Sequence, residues 1–249
     1  MRLLASILGL AVLAPFLLGP RGADALDLQR RRMLTAAEHE PWRAVGRVNV
    51  AARSERGMCT GTLIASDLVI TAAHCLYSER TGQVQAPGNI HFVAGWRRGT
   101  KVAHRRAQAI AIHPDYRHGV TLTLDAIATD LALIRLAEPI PDAVVEPFRL
   151  APADTDETLT LVSYRRDRAH ALTRQDGCEA DDVDRAVVTL ACDITFGASG
   201  SPVFATAAGG EPRVVAVISA KGKDRRTRRP LAFAVRPDAA LPKLLAAFD

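Results

Sequence analysis

Short apolar segments that end in turn residues, with almost no helical period among them, recur from Val45 to Val235 and leave this chain few architectures. Residues 45–51, 60–65, 68–71, 90–94, 101–112 and 131–136 form a first set of expected strands. Residues 159–164, 186–192, 202–205, 214–220 and 231–235 form a second. Many short strands with regular turn signals predict closed antiparallel barrels, an all-β fold. Pro139, Pro141 and Pro147 mark 139–152 as the crossing from one barrel to the next. At the end, Leu241, Leu244, Leu245 and Phe248 fall at helical intervals, and Pro242 is tolerable in a first turn, so 237–249 is expected to be a terminal helix.

A length of 249 residues with 48% hydrophobic and 24% charged residues is ordinary globular composition, enough for one large or two small domains. The apolar run after Met1-Arg2, followed by Ala23-Asp24-Ala25, reads as an export signal cleaved after Ala25, with an uncleaved membrane anchor as the competing reading. Residues 26–41 are charged and lack strand periodicity, which suits a pro-segment or loosely held N-terminal arm, so the main domain is expected over 42–249. Its first barrel then occupies about 42–138, its second about 148–236, and the helix the remainder. Four cysteines suit two disulfides in an oxidising compartment. Neither Cys-x-x-Cys nor paired histidine spacing occurs, so no metal is expected. The net charge of +5 becomes +4 when residues 1–25, with Arg2, Arg21 and Asp24, are dropped. The clusters Arg30-Arg31-Arg32 and Arg225-Arg226-Thr227-Arg228-Arg229 are read as solvated loops, with attraction to polyanions or anionic envelope surfaces as the alternative. No aromatic residues interleave them, so nucleic acid is not an expected partner.

The stretch Phe196-Gly197-Ala198-Ser199-Gly200-Ser201-Pro202 holds a serine between glycines directly before an apolar strand. A serine hydroxyl is a weak nucleophile that needs a base to take its proton and N–H donors for the oxyanion. Gly197 and Gly200 allow a turn tight enough for the amides of Gly197 and Ser199 to point into one small space. Alone, such a string is more often an ordinary turn.

Thr71-Ala72-Ala73-His74-Cys75, Asp130-Leu131-Ala132-Leu133-Ile134 and Gly197-Ala198-Ser199-Gly200-Ser201-Pro202 stand in the order His, Asp, Ser. Together they resemble the three signatures of trypsin-like serine proteases, over about Trp42 to Pro237, and the Gly-Ser-Pro ending is closer to the bacterial glutamyl endopeptidase branch. The resemblance implies two antiparallel six-stranded Greek-key barrels with the active site between them. It implies that Ser199 attacks the scissile carbonyl, His74 is the general base and acid, and Asp130 orients His74, with Asp125 a weaker rival. Gly197 and Ser199 would form the oxyanion hole. Cys59 and Cys75 resemble the family's histidine-loop disulfide, and Cys178 is left to pair with Cys192. The family's digestive members carry Asp where this chain has Ala198, so activation through that ion pair is not available here.

By the same resemblance, substrate adds as a strand beside Ser219 and Ala220, with Ile218 in the same segment and Ser219 also supporting Asp130. Asp193, six residues before Ser199, stands where trypsin-like enzymes place the acid that selects Arg or Lys. Bulky Ile194 and Leu231 oppose that preference and suit a small or apolar one. The histidine usual near Ile218 in the glutamyl-specific version is absent. His91, His104, His113, His118 and His170 are expected at surfaces or turns. The expected activity is that of an exported serine endopeptidase, a monomer secreted or periplasmic, acting on proteins or peptides without a cofactor and without a stable membrane anchor after signal removal. The alternatives are a catalytically silent protease-like binding module and an esterase using the same triad.

Overall fold

A short strand, β1 (Arg31–Met33), opens the described chain, and the next six strands roll into a closed barrel. They are β2 (Val45–Ala52), β3 (Glu55–Ala65), β4 (Leu68–Thr71), β5 (Ile90–Ala94), β6 (Ala103–Ile112) and β7 (Ala132–Leu136), in the spatial order β2-β3-β4-β7-β6-β5. This computed structural model describes residues 31–52, 55–152, 158–183, 186–207 and 210–248. The expected signal and its cleavage site lie outside the described residues. Alternation along the strands turns Val48, Leu63, Val69, Phe92 and Ile134 into one core. All four residues of β4 are buried, because neighbouring strands and the second barrel cover both of its faces.

The crossing segment leaves this barrel through Ile140, whose amide donates to Ser66 O at 2.7 Å, and joins the second sheet where Ala151 N donates to Val214 O at 3.0 Å. That sheet comprises β8 (Thr158–Ser163), β9 (Thr173–Cys178), β10 (Ala180–Val183), β11 (Val187–Leu190), β12 (Pro202–Thr206), β13 (Arg213–Lys223) and β14 (Pro230–Val235), with β1 at its edge. Its order is β1-β9-β8-β12-β13-β14-β11-β10, all antiparallel, around a core that includes Leu161, Leu190, Val203 and Ala216. It therefore has eight strands where six are expected. Two strands make up the difference: the stretch 173–183, which no expected segment covers, is divided at Glu179 into β9 and β10, and β1 is added at the edge, where Arg31, Arg32 and Met33 pair with Gln175, Arg174 and Thr173. Three residues are too few to carry a strand period, and their pairing is drawn from the open edge of β9, so local sequence did not mark them. Leu34 follows into the core at 1% exposure, and Thr35 caps the turn Ala36–His39 reciprocally with Glu38. Trp42, Phe148 and Phe204 seal the barrels together, with ring centroids 4.6–5.8 Å apart. The terminal helix is observed at Leu241–Ala246, packed through Leu244. Among the described residues no helix is long and apolar enough to cross a membrane.

Candidate active site

His74 sits on the single 3-10 turn Ala73–Leu76 that follows β4. Ala72, Ala73 and Leu76 are fully buried there, so the turn is anchored by its apolar residues while the imidazole faces out. The Cys59–Cys75 disulfide ties it to β3 with the Cα atoms 6.1 Å apart, and closing a loop of this size is worth about 3 kcal/mol in the chain-entropy account. Cys178 and Cys192 form the second bridge.

Asp130 lies between the helix Leu124–Ala128 and β7, at the barrel rim, and is buried. Its Oδ1 accepts from His74 N at 2.9 Å, and its Oδ2 lies 2.7 Å from His74 Nδ1 and accepts from Ser219 Oγ at 2.6 Å. Burial acts to raise the Asp130 pKa, but the facing imidazole and these hydrogen bonds outweigh it and hold the carboxyl below its ordinary value. Burial likewise acts to lower the His74 pKa, and the Asp130 charge and hydrogen bond, with Glu79, raise it above the ordinary histidine value. An ionised carboxylate at Nδ1 fixes the tautomer that leaves Nε2 free to accept a proton. Asp125, the rival carboxylate, is exposed on its helix.

Ser199 and His74 line one cleft of about 520 Å³ between the barrels. The peptide Phe196–Gly197 is oriented by its carbonyl, which accepts from Arg166 N at 2.7 Å. A trans peptide points its N–H opposite its C=O, so the Gly197 amide is turned away from Arg166. The Ala198 carbonyl accepts from Ser201 N at 3.0 Å, which turns the Ser199 amide in the same manner. Among the described residues neither amide has another acceptor. Gly197 holds φ +91°, and Gly200 holds φ +77° where a Cβ would run into Thr60 O and Thr71 Oγ1, so both glycines are required. Thr60 binds the loop from the other barrel: its Oγ1 donates to Gly197 O at 2.8 Å and accepts from Tyr164 N at 3.0 Å, while its amide donates to Ser199 O at 2.8 Å.

The structure places the expected substrate-contacting residues unequally. Ser219 and Ala220 line the cleft. Ile218 does not: it is fully buried, and its backbone is taken up by Gly200 N at 2.7 Å and Ser201 O at 2.8 Å. Asp193 is also absent from the lining, because its carboxylate is drawn to Arg31, with Arg165 4.0 Å away and donating to the Asp193 carbonyl at 3.2 Å. A carboxylate neutralised by two guanidinium groups is not poised to select a cationic side chain, which removes the basis for a basic-residue preference. Ile194 does reach the cleft. His118, expected as an ordinary surface residue, lines it too, stacked on Tyr77 at 4.3 Å between ring centroids. Phe196 and Arg166 line it without having been marked, since no local period distinguishes a rim residue from a loop residue. The sulfurs of Cys59 and Cys75 lie near the His74 ring, but the disulfide leaves no thiolate to bind a metal.

One family model, described as Trypsin, matches residues 34–242. No curated protein matches the sequence. Among solved structures, a Glu endopeptidase in complex with MPD is similar with TM-score 0.67 and 18% identity, covering 87% of this chain and 95% of that one. The protease Anisep from Arthrobacter nicotinovorans is similar with TM-score 0.66 and 16% identity, covering 87% and 99%. The thermostable serine protease AL20 from an extremophilic microorganism is similar with TM-score 0.64 and 17% identity, covering 82% and 97%.

Proposed function

Because the chain belongs to the trypsin family of serine endopeptidases, we propose that it hydrolyses peptide bonds of exported or extracellular substrates through Ser199, His74 and Asp130. Ser199 Oγ attacks the scissile carbonyl as His74 Nε2 takes its proton. The tetrahedral oxyanion is received by the amides of Gly197 and Ser199. His74 then gives the proton to the leaving amine, an acyl-enzyme forms on Ser199, and a water activated by the same imidazole releases the acid. Asp130 holds the ring and stabilises its charged form. The observation that carries this reading is the Asp130 carboxylate at 2.7 Å from His74 Nδ1, in the cleft that Ser199 shares.

The amide orientations need no amine freed by cleavage, since Arg166 N and Ser201 N hold the two carbonyls from within the chain. This supports an oxyanion hole that is preformed despite Ala198. The two disulfides support a secreted or periplasmic site of action.

The test is labelling of purified, disulfide-bonded protein with a fluorophosphonate probe beside Ser199→Ala, followed by cleavage-site profiling on a mixed peptide library. Labelling that disappears in the variant, with cut peptides in the profile, is the expected result. Unlabelled wild-type protein would overturn the reading in favour of a silent binding module.

A further inference from the structure

Strand β13 is covered on only part of its length. It pairs with β12 as far as Val217, opposite Pro202, and Ile218 closes that contact through Gly200 and Ser201. From 219 to 223 it keeps β14 on one side and has no strand on the other among the described residues. Ser219, Ala220 and Lys221 line the cleft along this bare stretch, so an extended peptide can add there as one more strand.

The hairpin that continues from this edge carries Lys221, Lys223, Arg225, Arg226, Arg228 and Arg229, all exposed. The one acid within it, Asp224, is used to build the turn. Its Oδ1 accepts from Arg226 N at 3.0 Å, Thr227 N at 2.6 Å and Thr227 Oγ1 at 2.7 Å, and its backbone pairs with Arg228 and Arg229. None of the six cations forms a salt bridge among the described residues. The positive charge continues into the cleft: Lys221 Nζ stands 4.4 Å and the Arg166 guanidinium 4.9 Å from the centroid of the Phe196 ring, beside the Ser199 loop. Among the described residues, the acids that line the cleft are Asp130 and Glu79. Like charges held together on an ordered turn oppose the folded state, and a loop selected only for solubility needs no single sign. The arrangement has a use where a partner brings the opposite charge to the bare edge.

We propose that this hairpin is a recognition arm for acidic protein substrates, engaging carboxylates of the segment that precedes the scissile bond as that segment pairs along 219–223. The inference rests on the endopeptidase reading and adds its substrate class. It favours a peptide over an anionic membrane because the charge is continuous with a strand edge that a backbone can extend and a lipid surface cannot.

The experiment uses two labelled peptides with the same cleavable bond, one with four acidic residues upstream and one with four neutral residues. Binding to the mature Ser199→Ala protein is followed by fluorescence anisotropy, and turnover by the mature wild-type enzyme is followed separately. The same binding is measured in a charge-reversed background, Lys223→Glu with Arg225→Glu and Arg226→Glu, with circular dichroism confirming the fold. The acidic peptide is expected to bind about tenfold tighter at low salt, to lose that advantage near 0.5 M salt, and to lose it in the charge-reversed protein. Equal binding of the two peptides, or an acidic preference that survives charge reversal, would overturn the proposal. So would tight binding to phosphatidylglycerol vesicles without discrimination between the peptides. Because binding is read on protein lacking Ser199, a failure here is distinct from a failure of probe labelling, which would remove the endopeptidase reading itself.

Discussion

Arg31 Nη1 donates to the Asp193 carboxylate, so the first described strand is tied to the loop that carries Ser199. Arg165 joins the same point from β8's end, and the amide of the next residue, Arg166, orients the Phe196 carbonyl. Arg31→Ala is expected to leave the fold intact and lower kcat about tenfold, with little change in KM, as the loop loses a charge-assisted contact. Arg31→Lys should recover part of the loss. An unchanged kcat in steady-state assays would mean that the loop is set without β1.

Asp130→Asn keeps the shape of the site but removes the charge that holds the imidazole. Activity is expected to fall on the order of 10⁴-fold. The remaining activity carries a second signature. The proposed mechanism requires neutral His74, whose pKa Asp130 raises against the opposing effect of burial. Without that charge the pKa falls, so the acid limb of kcat/KM moves to lower pH. A pH profile of the variant with its limb unmoved would contradict the assignment of Asp130.

Thr60 connects the barrels through a hydroxyl that both donates to Gly197 O and accepts from Tyr164 N. Thr60→Val is close in volume and deletes both bonds, leaving buried polar groups unpartnered at a cost of about 1–3 kcal/mol. Urea denaturation should show that loss, and kcat should fall further than stability alone explains, because the Gly197 peptide is freed. Thr60→Ser should restore both properties. A Thr60→Val enzyme with normal kcat would separate this contact from catalysis.

His39 is buried behind the N-terminal strand, where its Nε2 accepts from Leu172 N at 3.4 Å. Burial first, and the nearby Arg97 charge second, push its pKa down to about 4 from an ordinary 6.5. Between those values the unfolded chain binds a proton that the folded chain does not, so this contribution is complete above about pH 6.5 and declines as pH falls towards 4. Melting temperatures measured across this range should fall less steeply in His39→Gln, which keeps an acceptor without titrating. Parallel slopes in the two proteins would show that His39 does not control this range.

Much of the architecture was legible from local pattern. The segments 68–71 and 90–94 match β4 and β5 because alternation and turn residues act over a few positions, and the same holds for most of β6, β7, β12 and β14. The three short motifs also singled out His74, Asp130 and Ser199, of which Asp130 lies 2.7 Å from His74 Nδ1 and Ser199 lines the same cleft. β1 stayed hidden because its pairing is borrowed from β9, more than a hundred residues away.

The sequence alone determined the class of fold, the cysteine supply and the residues from which a triad can be built, all properties of neighbours along the chain. Tertiary structure decided what those residues face. Asp193 has the same local context whether it looks into a pocket or towards a guanidinium, and the docking of Arg31 across a separation of 162 positions, with Arg165 beside it, sets it outside the cleft lining. Ile218 was committed to the nucleophile loop, and Thr60 to Gly197, by the packing of one barrel against the other. Such contacts join surfaces whose relative placement is set by the sum of many apolar interactions, so no short stretch of sequence encodes them.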